Sequence, residues 1–263
     1  MPFTFIETEL SEGLFTIRLN RPDKLNSFNI KMGGEVQEAL RKAKDDDEIR
    51  CVLLTGNGRA FCAGQDLAEA MAVSDDPDRE LSEIVERTYN PIIMSLRTLE
   101  KPVICAVNGT AAGAGANIAL ACDIVVANQE AKFIQSFSAI GLIPDSGGTY
   151  ILPRLIGYAK ATALAFLGEP VMADEAVDMG MIWKAYPKEI YFEEAVTIGK
   201  KLAKMPTRGL GLTKKGFNEG FSNSLEKQMM LESKLQKEAG STADYTEGVQ
   251  AFLEKRKPEF TGK

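Results

Sequence analysis

Short apolar runs alternate with amphipathic stretches over the first two thirds of the chain. Residues 14–19 read as a strand, and residues 51–55, 103–107 and 124–127 are continuous apolar runs of the kind that fills strands buried on both faces. Residues 30–44 read as a polar helix, although Gly33 and Gly34 sit inside it, and an interior glycine costs about 1 kcal/mol relative to alanine. Strands separated by helices predict parallel βαβ units and an α/β core. From about Pro206 the pattern is helical only, rich in Lys and Glu, and runs to Phe252-Leu253-Glu254-Lys255-Arg256-Lys257. The chain therefore divides into an α/β core at 1–205 and a helical section at 206–263, a layout suited to docking or oligomerisation. It carries no internal repeat and no low-complexity tract.

Composition narrows the picture. A chain of 263 residues can bury a full core, and a hydrophobic share of 44% with 26% charged residues is that of a soluble globular protein. A net charge of −6 argues against nucleic acid or an anionic membrane as partner. Residues 1–10 lack the basic-then-apolar order of a signal peptide. No apolar run approaches the roughly 20 residues that span a bilayer. Cys51, Cys62, Cys105 and Cys122 sit singly among apolar neighbours, so they read as buried thiols in a reducing compartment, and a cytoplasmic location follows. The chain contains no histidine. That removes Ser-His-Asp and Cys-His triads and nearly every catalytic zinc site, leaving Asp, Glu, Lys, Tyr or Cys as general acid or base.

Three loops are candidates for chemistry. Gly56-Asn57-Gly58-Arg59-Ala60-Phe61-Cys62-Ala63-Gly64-Gln65-Asp66-Leu67 follows the apolar run 51–55, and Asp66 suits the cap of a following helix. Asn108-Gly109-Thr110-Ala111-Ala112-Gly113-Ala114-Gly115-Ala116-Asn117 leads into an apolar helix at 118–122. A helix start built from small residues presents unpaired N–H groups to a phosphate, a carboxylate or a developing oxyanion. Neither loop ends in Gly-Lys-Ser/Thr, and Phe61 stands where the last glycine of GxGxxG belongs, which disfavours nucleotide hydrolysis and NAD chemistry. The third, Gly141-Leu142-Ile143-Pro144-Asp145-Ser146-Gly147-Gly148-Thr149, precedes a helical stretch at 150–156 that contains Pro153. Asp145 reads either as the cap of that helix or as a carboxylate at the edge of an apolar pocket, where burial would raise its pKa.

Taken in order, Leu19-Asn20-Arg21-Pro22, Phe61-Cys62-Ala63-Gly64-Gln65-Asp66-Leu67, Lys101-Pro102-Val103, Asn108-Gly109, Cys122-Asp123-Ile124 and Gly147-Gly148-Thr149 resemble the enoyl-CoA hydratase/isomerase (crotonase) family over residues 5–260. The resemblance implies an α/β fold of the ClpP/crotonase-like type: a spiral of ββα units with a helical C-terminal section, usually assembled as a trimer or a dimer of trimers. It implies an acyl-CoA thioester as substrate, with CoA entering as part of that substrate and no metal, flavin or nicotinamide cofactor. The backbone N–H groups of Gln65 and Ala114 would form an oxyanion hole for the thioester oxygen. Ala63, Asp66 and Leu67 would receive adenine and pantetheine, and Lys24 and Leu25 would lie at the nucleotide end. Phe252 and Lys255 would reach the nucleotide from a neighbouring subunit. Lys24 and Lys255 read equally well as solvated surface charges.

Hydratases of this family use two glutamates, and this chain has Asn117 and Phe137 at those positions. Asp145 lies where some isomerases of the family carry the proton. The resemblance therefore implies an isomerase with one carboxylate; a hydratase with an unusual acid/base set and a non-catalytic acyl-CoA-binding protein are the alternatives. Glu86-Arg87-Thr88-Tyr89-Asn90-Pro91, Ala111-Ala112-Gly113-Ala114-Gly115-Ala116, Phe137-Ser138, Gly180-Met181-Ile182-Trp183 and the tail Phe260-Thr261-Gly262-Lys263 are similar to one isomerase branch that acts on an aromatic thioester. An aromatic acyl group would suit a pocket lined by Phe137 and Tyr89, two residues that read equally as core packing.

Overall fold

A computed structural model describes residues 3–74 and 81–263, so residues 1–2 and 75–80 of the 1–205 section lie outside the described residues. The strands fall into two sheets. β1 (Ile6–Ser11), β2 (Leu14–Leu19), β3 (Cys51–Gly56), β5 (Val103–Val107), β7 (Ile124–Asn128) and β10 (Lys184–Tyr186) form the first, in the order β1-β2-β3-β5-β7-β10. Only the β1–β2 hairpin in it is antiparallel. β4 (Ala60–Cys62), β6 (Thr110–Ala112), β8 (Lys132–Ile134) and β9 (Val171–Met172) form the second, parallel from β4 to β8. Three strands of the first sheet are each followed by a short strand in the second: β3 by β4, β5 by β6, β7 by β8.

Helices complete each turn of this spiral. α1 (Ile30–Asp45) precedes β3. α2 (Leu67–Ser74), α3 (Leu81–Ile84) and α4 (Asn90–Thr98) follow β4, with a π-helical turn at Val85–Tyr89. α5 (Ala114–Leu120) follows β6. α6 (Gly148–Ile156) and α7 (Tyr158–Leu167) follow β8, and α8 (Ala173–Asp178) follows β9. α9 (Tyr191–Ala203) covers the sheet, and α10 (Thr207–Gly220), α11 (Leu225–Ala239) and α12 (Ala243–Glu254) make the last section helical. The start of α5 lies four residues before the predicted apolar stretch, because Ala114, Gly115 and Ala116 already belong to the helix.

Side-chain alternation explains why the central strands are apolar throughout. On β3, Val52 and Leu54 enter the main core beside Phe15, Cys105 and Val107, whereas Cys51 and Leu53 pack with Leu14, Ile104, Val126 and the α9 residues Ala195 and Ala203. α1 starts where Asn29 Oδ1 accepts from Met32 N, at 2.8 Å. Gly33 is explained by packing: a Cβ there would collide with Thr88, so glycine lets α1 approach the π-helical turn. All four cysteines are buried and free, and burial pushes the Cys62 thiol up to about 12, which leaves it unreactive. No helix among the described residues is long and apolar enough to cross a membrane.

The helical section is tied back by polar groups. Lys214 of α10 donates to Leu96 O at 2.6 Å and to Asp123 Oδ2 at 2.8 Å. Arg50 donates to Met205 O and Thr207 Oγ1, at 2.7 and 2.6 Å, and to Phe260 O. Asp244 accepts from the N–H groups of Thr261 and Gly262, at 2.7 and 2.8 Å.

Candidate active site

The β4–α2 turn and the start of α5 are brought together because β4 and β6 are parallel neighbours. Phe28 and Gln65 form an isolated bridge, in which Phe28 N donates to Gly64 O and Asp66 N to Phe28 O. That pairing turns the Gln65 N–H the other way, and it has no acceptor among the described residues. The Ala114 N–H, first in α5, has none either. Gly64 has a φ of +94°, and a Cβ on it would stand 3.0 Å from Ala112 O and 3.7 Å from Ala114 N. Gly115 packs on β4, where a Cβ would meet Cys62 Sγ at 2.7 Å. Two unpaired backbone donors thus stand on adjacent, closely packed segments.

Asp145 lies half-buried in the loop before α6. It does not cap that helix: Gly147 is the N-cap residue and no side chain bonds to the helix start. Of the two readings of Asp145 the cap falls away, and the reason is the backbone. Ser146 and Gly147 both have positive φ, +50° and +74°, which turns the Asp145 side chain away from the first turn of α6. Its Oδ1 accepts from Ser146 Oγ at 2.9 Å, and no cation pairs with it among the described residues. Burial holds the Asp145 carboxyl above the usual aspartate range, and the Ser146 hydroxyl opposes that shift only in part.

The aromatic candidates lie against the Gln65 and Ala114 segments. Tyr89 is buried, lies 5.9 Å from the Phe28 ring, and donates its hydroxyl to Gln65 Oε1 at 2.5 Å. Burial raises its pKa well above that of a free tyrosine, and the carboxylates of Asp145, Glu69 and Asp66 are near enough to add to this. Phe137 is buried too, with its ring 3.8 Å from where a Gly113 Cβ would be, beside the start of α5. Asn117 is buried on α5; it accepts from Gln135 Nε2 at 2.9 Å and donates to Asp145 O at 2.8 Å.

The remaining predicted residues are more dispersed. Asp66 accepts from Arg21 Nη2 at 2.9 Å and from Ala68 N at 3.2 Å, so it caps α2 as expected, and Arg21 holds its carboxyl low. Ala63 is half-buried; Leu67 is exposed on α2. Lys24 is exposed, and Leu25 takes a left-handed φ of +51°. Phe252 is 83% exposed, in a groove it shares with Pro206, Tyr245, Val249 and Phe260, and Lys255 ends α12 at φ +56°. The groove holding Phe252 is lined by no residue of the Gln65, Ala114 or Asp145 segments. Among the described residues no group of His, Cys, Asp and Glu could hold a metal ion.

Two members of the site give little or no signal in the sequence. Ser146 is visible there only as a hydroxyl beside the candidate acid; Gln135 gives no signal, since only the fold sets it against Asn117.

Known proteins agree with this architecture. The enoyl-CoA hydratase/isomerase family profile matches residues 9–263. The chain is 50% identical to a 1,2-epoxyphenylacetyl-CoA isomerase of Escherichia coli, covering 98% of this chain and 99% of that one. It is 45% identical to a probable enoyl-CoA hydratase of Rhodobacter capsulatus, over the full length of both. A crystal structure of a putative enoyl-CoA hydratase/isomerase from Mycobacterium abscessus superposes with a TM-score of 0.93 at 34% identity, covering 98% of this chain and all of that one. The chain therefore has the crotonase fold and belongs to the enoyl-CoA hydratase/isomerase family.

Proposed function

We propose that this protein is a CoA-thioester isomerase in which Asp145 carries the proton. The observation that carries the reading is a half-buried carboxylate beside the Asn117 amide, raised by burial and free of any cation among the described residues, whereas Asp66 is paired with Arg21. On a 3-enoyl thioester, Asp145 takes a proton from C2. The electron pair moves into the thioester carbonyl, whose oxygen is held by the Gln65 and Ala114 N–H groups. The same carboxyl returns the proton at C4, giving the conjugated isomer. Losing one oxyanion donor of this kind costs about 2.7–4 kcal/mol of transition-state stabilisation. A carboxyl whose pKa is raised toward neutrality suits both halves of the transfer.

The finer reading is 2-(1,2-epoxy-1,2-dihydrophenyl)acetyl-CoA isomerase of phenylacetate catabolism, supported by 50% identity to the Escherichia coli enzyme of that type. Phe137 and Tyr89 are the aromatic surfaces for such an acyl group. Lys24, Leu25, Ala63, Asp66 and Leu67 would hold CoA, with Phe252 and Lys255 supplied by a neighbour in a trimer or a dimer of trimers. The high exposure of Phe252 in the single chain supports that assembly. No cofactor beyond the substrate's own CoA is needed, and the proposed location is the cytoplasm.

A hydratase is the second reading, because the Rhodobacter capsulatus relative carries that name. Purified protein is assayed with a 3-enoyl-CoA and with crotonyl-CoA, alongside Asp145→Asn. Isomerisation without hydration, lost in the variant, is expected. Rapid hydration of crotonyl-CoA would overturn the assignment. Tight acyl-CoA binding with no turnover of enoyl or epoxy thioesters would make the protein a binding member of the family.

A further inference from the structure

The loop that carries Asp145 is held by more than its own turn. The Asp145 carbonyl oxygen accepts twice, from Gly148 N at 2.8 Å within the loop and from Asn117 Nδ2 at 2.8 Å across from α5. The second bond exists only because position 148 is glycine: a Cβ there would collide with the Asn117 amide. Asn117 is itself oriented, since Gln135 Nε2 donates to its Oδ1 at 2.9 Å. Turning the Asn117 amide over would set its oxygen against the Asp145 carbonyl and its NH2 against the Gln135 NH2. Turning Gln135 over would oppose two oxygens in the same way.

Gln135 carries a cost in this arrangement. Its Oε1 is buried with no partner among the described residues, a state that typically costs about 1–3 kcal/mol. The chain keeps it beside a loop with two consecutive left-handed residues, Ser146 and Gly147. Such a loop is stable only where its surroundings over-determine it.

We propose that Asn117 and Gln135 are a positioning pair: Gln135 orients the Asn117 amide, and Asn117 pins the Asp145 peptide so that its carboxylate stands at the reacting carbons. The proposal rests on the one-carboxylate reading above. It gives position 117 a requirement that size alone does not impose, namely a permanent donor toward Asp145 and an acceptor toward Gln135. An amide meets both at every pH; a carboxyl donates only while protonated.

Asn117→Asp therefore separates positioning from packing, because it conserves size. The titratable residue in contact with position 117 is Asp145 of the α6 loop, while Cys62 of β4 packs on the same helix at Gly115 and Tyr89 of the π-helical turn lies within electrostatic reach of both. Protonated, the carboxyl can still donate to Asp145 O. Ionised, it loses that bond, repels the carbonyl oxygen, and disfavours the charged form of Asp145.

The test compares kcat, KM and the pH–kcat profile of Asn117→Asp, Gln135→Met and Asp145→Asn with the native enzyme, on a 3-enoyl-CoA. Displacement of a catalytic group by about 1 Å can cost on the order of 100-fold. Asn117→Asp and Gln135→Met are expected to lose about 10- to 100-fold in kcat with KM nearly unchanged. Asn117→Asp is further expected to lose activity as pH rises, a limb that the native enzyme lacks. Native kcat and pH profile in both variants, with Asp145→Asn inactive, would overturn the positioning pair alone. A rise in KM with native kcat would also overturn it, by showing that these amides bind substrate. Turnover retained in Asp145→Asn would instead overturn the reading on which the pair rests.

Discussion

Asp123 and Asp145 lie close in the chain and the side chains of both are partly covered, although Asp123 is exposed as a residue, yet the fold treats them oppositely. Asp123 accepts from Val103 N at 2.9 Å and from Lys214 at 2.8 Å, and Arg97 stands 3.9 Å away. Asp145 has one hydroxyl, from Ser146, and no cation among the described residues. The first acid joins β5 to α10 and spends its charge on that junction. The second keeps its charge unspent, at the cost of a raised pKa. An acid that holds the fold together is neutralised by partners; an acid that moves a proton is left nearly alone.

The sharpest way to break this comparison is to neutralise each acid's environment in turn. Asp145→Asn should lose about 10²–10⁴-fold in kcat, the usual weight of a general acid–base group. Its stability should not fall. A carboxyl whose folded pKa is raised binds its proton more tightly folded than unfolded, so it favours folding below the unfolded pKa and loses that benefit as pH rises through the folded pKa. At neutral pH the charged Asp145 burdens the fold, and Asn removes the burden. Thermal unfolding at pH 7 should show an equal or higher midpoint, and a marked drop would mean that Asp145 is structural. Lys214→Met should do the reverse. Burial disfavours the Lys214 ammonium and Asp123 sustains it, so removing the cation strands a partly buried carboxylate. The expected loss is about 3 kcal/mol, the low end for a broken buried pair because Asp123 keeps some water. Chemical denaturation reads it, and a change under about 1 kcal/mol would show that the pair behaves as an ordinary surface bridge.

Much of this arrangement is legible in the chain, though unevenly. The apolar runs locate β3, β5 and β7 to within a residue, because strands buried on both faces favour apolar residues at nearly every position. The absence of histidine narrows the acid–base candidates to Asp, Glu, Lys, Tyr or Cys from composition alone. Asp66 is readable as a cap, since its acceptor acts on the residue two further on. Gly33 is not readable, because its neighbour Thr88 is 55 residues away and only the packing of α1 on the π-helical turn brings them together. Gln135 is hidden for the same reason: its partner lies 18 residues back on another element. Asp145 stands out in the chain but both its readings stay open there, as a sequence does not show that Ser146 adopts a positive φ.

Tyr89→Phe sharpens the other side of the site. Its hydroxyl is the donor to Gln65 Oε1, and a neutral hydrogen bond contributes about 1 kcal/mol. If that bond holds the Gln65 peptide in place, kcat should fall by roughly fivefold with KM little changed. A rise in KM alone would make Tyr89 a wall of the acyl pocket instead.

The smallest change tests how isolated Asp145 is. Ser146 Oγ donates to its Oδ1 and favours the charged form, partly offsetting the burial that favours the neutral one. Removing the hydroxyl in Ser146→Ala should therefore raise the Asp145 pKa further. Because Asp145 acts as a base when ionised, the rising limb of the pH–kcat profile should move to higher pH, while the rate on the plateau changes little. Ser146→Gly removes the same hydroxyl and also relaxes the φ of +50°. Equal shifts in the two variants would assign the effect to the hydrogen bond. A shift only in Ser146→Gly would assign it to the backbone, and a limb that moves down in both would mean that another group titrates in the native enzyme, leaving Asp145 no more isolated than Asp123.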